Sequence, residues 1–396
     1  MHQLLIIKAG AEYLRFVADA WTPGPLSKAS VFPLSQVAEV KERCRKLADA
    51  GVAVVLMNGG SVELPWAARP AAILEAYLGG QAGGSALADV LLGAAEPGGR
   101  LAESFPVRAA DLPASRNFPG APSQVEYREG LYVGYRYHDT SGVAARFPFG
   151  HGLGYTTFTH GKAAAKKVGD GYEVSVKVTN TGKRAGSEVV QVYVHDVEST
   201  LYRPVKELKG FAKIRLEPGK SATVKIPLNR RAFAVYDAAT RAWVVEAGDF
   251  EILVGASSAD IRSTVKVAVA SKDKVTARPG ATPSRCLATD EEFAAMLGRP
   301  IPTPRPRLPF HRDSTVGDLG QTLVGLVVRR IIYAAVRRQF RGEADPDVAA
   351  SIKAFIENMP LRAVAMASAG RMPLARVDQI IARLNALSFR ARRARR

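Results

Sequence analysis

The chain has 396 residues, 47% of them hydrophobic, and a formal net charge of +18. That length predicts two or three domains at ~100–200 residues each. Two cysteines, Cys44 and Cys286, stand far apart, which excludes a disulfide framework and a thiolate zinc pattern. The charge is uneven: residues 271–396 hold 23 basic and 11 acidic residues, a net of +12. Such a tail reads as an Arg-rich solvated helical face, with nucleic-acid or anionic-membrane contact as the alternative. The opening Met1-His2-Gln3-Leu4-Leu5-Ile6-Ile7-Lys8 lacks a basic lead, and Lys8 ends its apolar run. It does not read as a signal peptide, which favours a cytoplasmic location. No uncharged apolar stretch approaches the ~20 residues of a membrane helix.

Residues 1–125 mix apolar runs with glycine-rich turns. Leu34, Val37, Val40, Cys44 and Leu47 are spaced as one face of a helix over residues 34–50. Residues 51–57 form a short continuous apolar run ending at Asn58-Gly59-Gly60, which predicts a strand of a parallel sheet buried on both faces. Another strand is expected over 71–77, and a helix with glycine at both ends over 84–93. Alternating strand and helix argues for α/β layers.

Residues 161–270 change character. Tyr172-Glu173-Val174-Ser175-Val176-Lys177-Val178 alternates polar and apolar, the signature of a half-buried strand. Further strands are expected over 189–194, 209–216, 222–228, 243–245, 250–254 and 264–269. Turns are expected at Glu217-Pro218-Gly219-Lys220 and Glu246-Ala247-Gly248-Asp249. Many short strands of this kind predict a β-sandwich, and the segment's lack of cysteine excludes an immunoglobulin-type disulfide. Residues 271–314, crowded with Pro300, Pro302, Pro304, Pro306 and Pro309, read as a linker or surface strap. Residues 315–396 return to helical spacing. Asp345-Pro346-Asp347 marks a helix start, and the arginine-rich end after residue 390 is expected to fray.

The segment between the α/β layers and the sandwich, residues 126–160, carries the most specific signal. It contains Tyr127-Arg128-Glu129-Gly130-Leu131-Tyr132-Val133-Gly134-Tyr135-Arg136-Tyr137-His138-Asp139, then Phe147-Pro148-Phe149-Gly150-His151-Gly152-Leu153-Gly154-Tyr155. Together these resemble the junction between the second and third domains of glycoside hydrolase family 3, the β-glucosidase and β-xylosidase family. Gly79-Gly80-Gln81-Ala82-Gly83-Gly84 and Pro97-Gly98-Gly99-Arg100-Leu101 resemble segments of that family's α/β sandwich domain. Glu207-Leu208-Lys209-Gly210-Phe211 and Ala247-Gly248-Asp249-Phe250-Glu251 resemble its fibronectin-III-like domain. The tail is similar to the helical extension of one bacterial branch. The resemblance implies a partial α/β sandwich domain, a fibronectin-III-like β-sandwich and a basic α-helical tail.

The resemblance also implies retaining β-glycoside hydrolysis, which needs two carboxyl groups ~5–5.5 Å apart. In the family the nucleophilic Asp lies on a (β/α)8 barrel, a fold of ~250 residues. Only about 50 residues precede the first buried strand here, so neither barrel nor nucleophile is expected in this chain. Phe32-Pro33-Leu34-Ser35-Gln36 resembles the stretch that follows the family's acid/base Glu, but the ten residues before it hold no carboxylate. Glu12 and Glu129 remain as catalytic candidates, Glu12 reading better as a helix-surface charge. Trp66, Arg128 and Arg136 are candidate substrate contacts. For Arg128, Glu129, Arg136, Tyr127 and His138 the competing reading is a buried polar network, and for Trp66 a core or interface residue. No nucleophile elbow, Walker loop or metal-ligand cluster occurs, so no cofactor and no metal are expected. The expected partner is a β-linked oligosaccharide or aryl β-glycoside, once a barrel domain or chain completes the site. No specific nucleic acid is expected. The rival function is a non-catalytic glycan- or polyanion-binding scaffold, whose binding would weaken steeply with salt.

Overall fold

The computed structural model describes residues 53–118, 120, 124–238, 240–276, 280, 282, 284–303, 306–339, 346–367 and 372–393, and before them the backbone of five short strands. The chain divides into two compact units, residues 1–116 with 127–300, and residues 117–126 with 301–396.

The first unit begins with β1 (Leu4–Ile6), β2 (Lys8–Ala9), β3 (Glu12–Val17), β4 (Ala20–Gly24) and β5 (Val31–Pro33), followed by β6 (Ala53–Leu56) and β7 (Ala72–Glu75). One sheet has the order β5-β1-β6-β7, and another the order β2-β3-β4. β6 and β7 pair in parallel, while β1 runs antiparallel to β6. The sheet is therefore mixed, which corrects the all-parallel expectation. Val54, Val55 and Leu56 are all buried. A strand covered on both faces reads as one apolar run whichever way its neighbours point. The helix expected over residues 34–50 lies outside the described residues. Helix α1 (Gly83–Leu92) stops at Gly93, whose φ of 76° is the left-handed stop glycine favours.

Strand β8 (Phe105–Pro106), helix α2 (Tyr135–Ser141) and strand β9 (Ala145–Phe147) connect this layer to the sandwich, β8 pairing with β9. The sandwich comprises β10 (Phe158–His160), β11 (Ala164–Val168), β12 (Gly171–Asn180), β13 (Gly186–Asp196), β14 (Glu207–Leu216), β15 (Ser221–Leu228), β16 (Val235–Asp237), β17 (Ala242–Val244), β18 (Gly248–Gly255) and β19 (Ile261–Val269). In one sheet β12 sits between β15 and the two short strands β10 and β11; the other has the order β14-β13-β18-β19. All these pairings are antiparallel. The core follows the two-residue period of the strands: Val174, Val176 and Val178 face Val190, Val192 and Val194, with Phe250, Ile252 and Val254 beside them. β13 is also buried on its other side, where Gln191 and Tyr193 lie under the connector.

The proline-rich stretch after the sandwich contains more order than a linker. Helix α3 (Asp290–Leu297) opens on a capping box, Thr289 bonding the Glu292 amide and Glu292 reaching back to the Thr289 amide. The second unit holds α4 (Leu323–Gln339), α5 (Pro346–Asn358), α6 (Ala363–Ala367) and α7 (Leu374–Arg393). These helices have an apolar core of their own, including Phe310, Leu319, Ile356, Leu361, Val377, Ile381 and Leu384. Asn385 clamps the Phe310 backbone, bonding its N–H and its C=O at 2.8 Å each. The tail is thus a packed unit as well as a basic surface, and α7 stays helical to Arg393, three residues further than the expected fraying point. Among the described residues no helix is long and apolar enough to cross a membrane.

Candidate functional site

The carboxyl ends of parallel strands are where open α/β sheets bind ligands, and here β6 and β7 end side by side, Leu56 opposite Glu75. Just beyond β6, Asn58 is only 1% exposed and donates through Nδ2 to the Gly60 carbonyl at 2.6 Å. At the end of β7, Glu75 Oε1 accepts the Tyr77 amide at 2.8 Å. Tyr77 takes a φ of 44°, rare for a bulky residue. Glu103 stands close by: its charge acts on both Glu75 and Tyr77.

Burial pushes the Glu75 carboxyl above its ordinary value. The Tyr77 amide and the Asn58 side chain pull the other way, and the Glu103 charge adds to the rise. Burial likewise raises the Tyr77 hydroxyl, helped by the charges of Glu103 and Glu75. Asn58 Oδ1, Glu75 Oε2 and the Tyr77 hydroxyl are buried and make no hydrogen bond of normal geometry among the described residues. A carboxyl whose proton is held more tightly through burial, beside a second carboxylate, is an arrangement suited to a general acid. No group of three or more His, Cys, Asp or Glu suited to a metal occurs among the described residues.

This cluster makes a prediction of its own. Because folding raises the Glu75 pKa, its stabilising effect is fully present below the unfolded value of ~4.3 and is lost as pH rises through the folded value. Glu75→Gln, always neutral, is therefore expected to match the parent near pH 4 and exceed it in stability at pH 7. Urea midpoints at the two pH values check this; an equal difference at both would count against a raised Glu75.

The residues singled out from sequence sit elsewhere. Arg128 pairs with Asp290 and lies 5.2 Å over the Phe293 ring, which anchors α3. Arg136 Nε lies 3.4 Å from Glu207, with its guanidinium 5.6 Å from the Tyr135 ring centroid. The two arginines thus belong to separate clusters. Glu129 is buried in a turn closed by the Tyr132 amide, which donates to the Glu129 carbonyl at 2.9 Å. His138 is buried with Nδ1 2.9 Å from the Val143 carbonyl oxygen, and Tyr127 is exposed. Trp66 is half-buried in the turn after Leu64, its carbonyl accepting the Arg69 amide. Glu12, read as a helix-surface charge, instead opens β3, opposite Ala9. Helical reading failed there because six residues give too short a window to separate the two periods. Sequence reading missed the Asn58–Glu75–Tyr77 cluster. Its visible trace is an Asn just after one apolar strand and a Glu closing the next.

The glycine-rich aromatic run welds the layers together. The Phe149 amide donates to Ser104 Oγ at 3.3 Å, and the Phe149 carbonyl accepts the Ser258 amide at 2.9 Å. Gln191 Nε2 donates to the Gly150 and Ala256 carbonyls, at 3.0 and 2.6 Å, while its Oε1 accepts the Tyr193 hydroxyl at 2.6 Å. Tyr135 stacks on Phe149 at 4.6 Å. Arg100 reaches Glu188 at 3.1 Å, both side chains buried.

The α/β layer and the sandwich joined to it each match a known domain family. The model for the glycosyl hydrolase family 3 C-terminal domain matches residues 34–155, and that for the fibronectin type III-like domain matches residues 188–258. The chain thus carries the C-terminal domain of glycoside hydrolase family 3, followed by a fibronectin type III-like domain. It is 42% identical over 341 residues to the thermostable beta-glucosidase B of Acetivibrio thermocellus, covering 85% of this chain and 41% of that protein. It is 47% identical over 224 residues to the exo-alpha-(1->6)-L-arabinopyranosidase of Bifidobacterium breve, covering 56% of this chain and 30% of that protein. Among solved structures, the GH3 beta-glucosidase of Bifidobacterium adolescentis superposes with a TM-score of 0.56 at 40% identity, over 65% of this chain and 38% of that one. The chain spans between 27 and 41% of the length of eight such curated relatives.

Proposed function

We propose that this chain serves the hydrolysis of O-glycosyl bonds with retention, on β-linked oligosaccharides or aryl β-glycosides. It supplies the α/β and fibronectin-III-like modules, and a barrel domain or chain completes the carboxylate pair. The observation that carries this reading is the 42% identity to a beta-glucosidase across 85% of the chain. The shared stretch amounts to 41% of that relative, which supports assigning the nucleophile to the part not shared. Glu75, buried and beside the Glu103 charge, is suited to hold a proton near such a site.

The chain alone, folded by circular dichroism, is expected to give no turnover of aryl β-glucosides or β-xylosides. Adding the barrel portion of the Acetivibrio relative in trans is expected to produce it. Turnover by the chain alone would show a complete carboxylate pair within these residues and overturn the split-site reading. A folded mixture that stays inactive would overturn the glycosidase reading.

A further inference from the structure

A cavity of about 470 Å3 opens on the sandwich, far along the chain from Glu75, with Arg136, Glu207, Lys209, Arg231, Tyr236 and Trp243 in its lining. That volume lies within the ~300–1,000 Å3 usual for small-ligand sites. Tyr236 and Trp243 are cross-strand partners on the β16–β17 ribbon, their ring centroids 5.4 Å apart at 62°. They are 49% and 43% exposed. Side chains opposite each other on a ribbon share one face, so the two rings, set edge to face, give that side of the ribbon an aromatic surface, with Arg231 over the Trp243 ring. Such a surface has a negative π-face, which packs against the C–H face of a pyranose ring.

The charges around this surface do not balance. Among the titratable lining residues, the cations Arg136, Lys209 and Arg231 meet one carboxylate, Glu207. Glu207 is already engaged by Lys209 at 3.1 Å and by Arg203 and Arg136 at 3.4 Å each. Among the described residues Arg231 has no carboxylate partner. Its guanidinium lies 3.8 Å from the Trp243 ring centroid, and its backbone amide is fixed by Asn229 Oδ1 at 3.1 Å. A guanidinium held over an aromatic ring can still offer N–H groups to a planar acceptor such as a carboxylate.

We propose that this cavity binds an acidic saccharide, a pyranose bearing a carboxylate. The ring packs on the Tyr236–Trp243 pair, and Arg231 takes the carboxylate.

Calorimetric titration of the chain with cellobiouronate, and with cellobiose as the neutral control, tests it. Cellobiouronate is expected to bind saturably, at least about tenfold more tightly than cellobiose, and more weakly at higher salt. Trp243→Ala and Arg231→Gln are each expected to weaken that binding about tenfold, while Trp243→Phe, which keeps the ribbon pair, retains part of it. Arg231 is exposed, so its variant reads binding even if Trp243→Ala fails to fold by circular dichroism. Absence of saturable binding, equal affinity for cellobiose, or unchanged binding by folded Arg231→Gln would each overturn the proposal. The titration needs no turnover, so its failure leaves the hydrolytic reading standing, and an inactive enzyme leaves this site standing.

Discussion

Arg203→Met is expected to lower the unfolding free energy by about 3–5 kcal/mol, the usual result of removing one partner from a buried ion pair. The Arg203 side chain is 5% exposed and bonds Asp196, itself 2% exposed, at 3.0 Å. It also reaches Glu207 at 3.4 Å. Burial already raises the Asp196 carboxyl, and Arg203 is the main force opposing that rise. Burial works to raise Glu207 too, but Lys209, Arg203 and Arg136 together hold it below its ordinary value. Without Arg203 two carboxylates lose that support, and protonation is their way out. The loss should therefore be larger at pH 7 than at pH 4.5. Urea unfolding at both values reads the difference; a loss below about 1 kcal/mol at pH 7 would mean the pair is solvated.

Gly150→Ala is expected to destabilise by about 3 kcal/mol or more. Gly150 has a φ of 79°, and an added Cβ would run into the Gln191 side-chain amide. The left-handed backbone alone costs roughly 1–2 kcal/mol for an L side chain. Displacing Gln191 also leaves buried carbonyls and the Tyr193 hydroxyl without their partner, at roughly 1–3 kcal/mol per unsatisfied group. Gly219→Ala is the control: its φ is 71° but no atom lies within 4 Å of the added Cβ, so only the backbone effect remains. Equal losses in the two variants would remove the Gln191 contact from the explanation.

The comparison of Gly150 with Gly219 shows what the sequence made legible. Strands β12, β15 and β18 announced themselves by alternation, because each has one face in the core and the other toward solvent or a neighbour. The turn at Gly219 was legible from its Glu-Pro-Gly-Lys composition. β13 gave a near-continuous apolar run instead, since the connector covers its second face, and the ends of the strand were underestimated. The capping box of α3 was written as Thr289-x-x-Glu292 but was hidden by surrounding prolines. The Asn58–Glu75–Tyr77 cluster was not legible, because it depends on two strand ends, Leu56 and Glu75, meeting across the 18 residues between them. Arg128, Glu129 and Arg136 drew attention through density of polar groups in one stretch. Proximity in sequence did not become proximity in space, since Arg128 meets α3 and Arg136 meets β14.

The strap from Phe147 to Gly154 has a consequence for how such proteins can be assembled over evolutionary time. Its backbone and side-chain bonds reach Leu101 and Ser104 in one layer and Gln191 and Ser258 in the other. A gene rearrangement with its break point inside residues 100–190 would hand each descendant a half-stitched seam, with Glu188, Gln191 and Tyr193 stripped of cover. Break points before the β6 strand or after the sandwich leave the seam whole. The two layers are thus bound to travel as one cassette, and partners can be exchanged on either side of it.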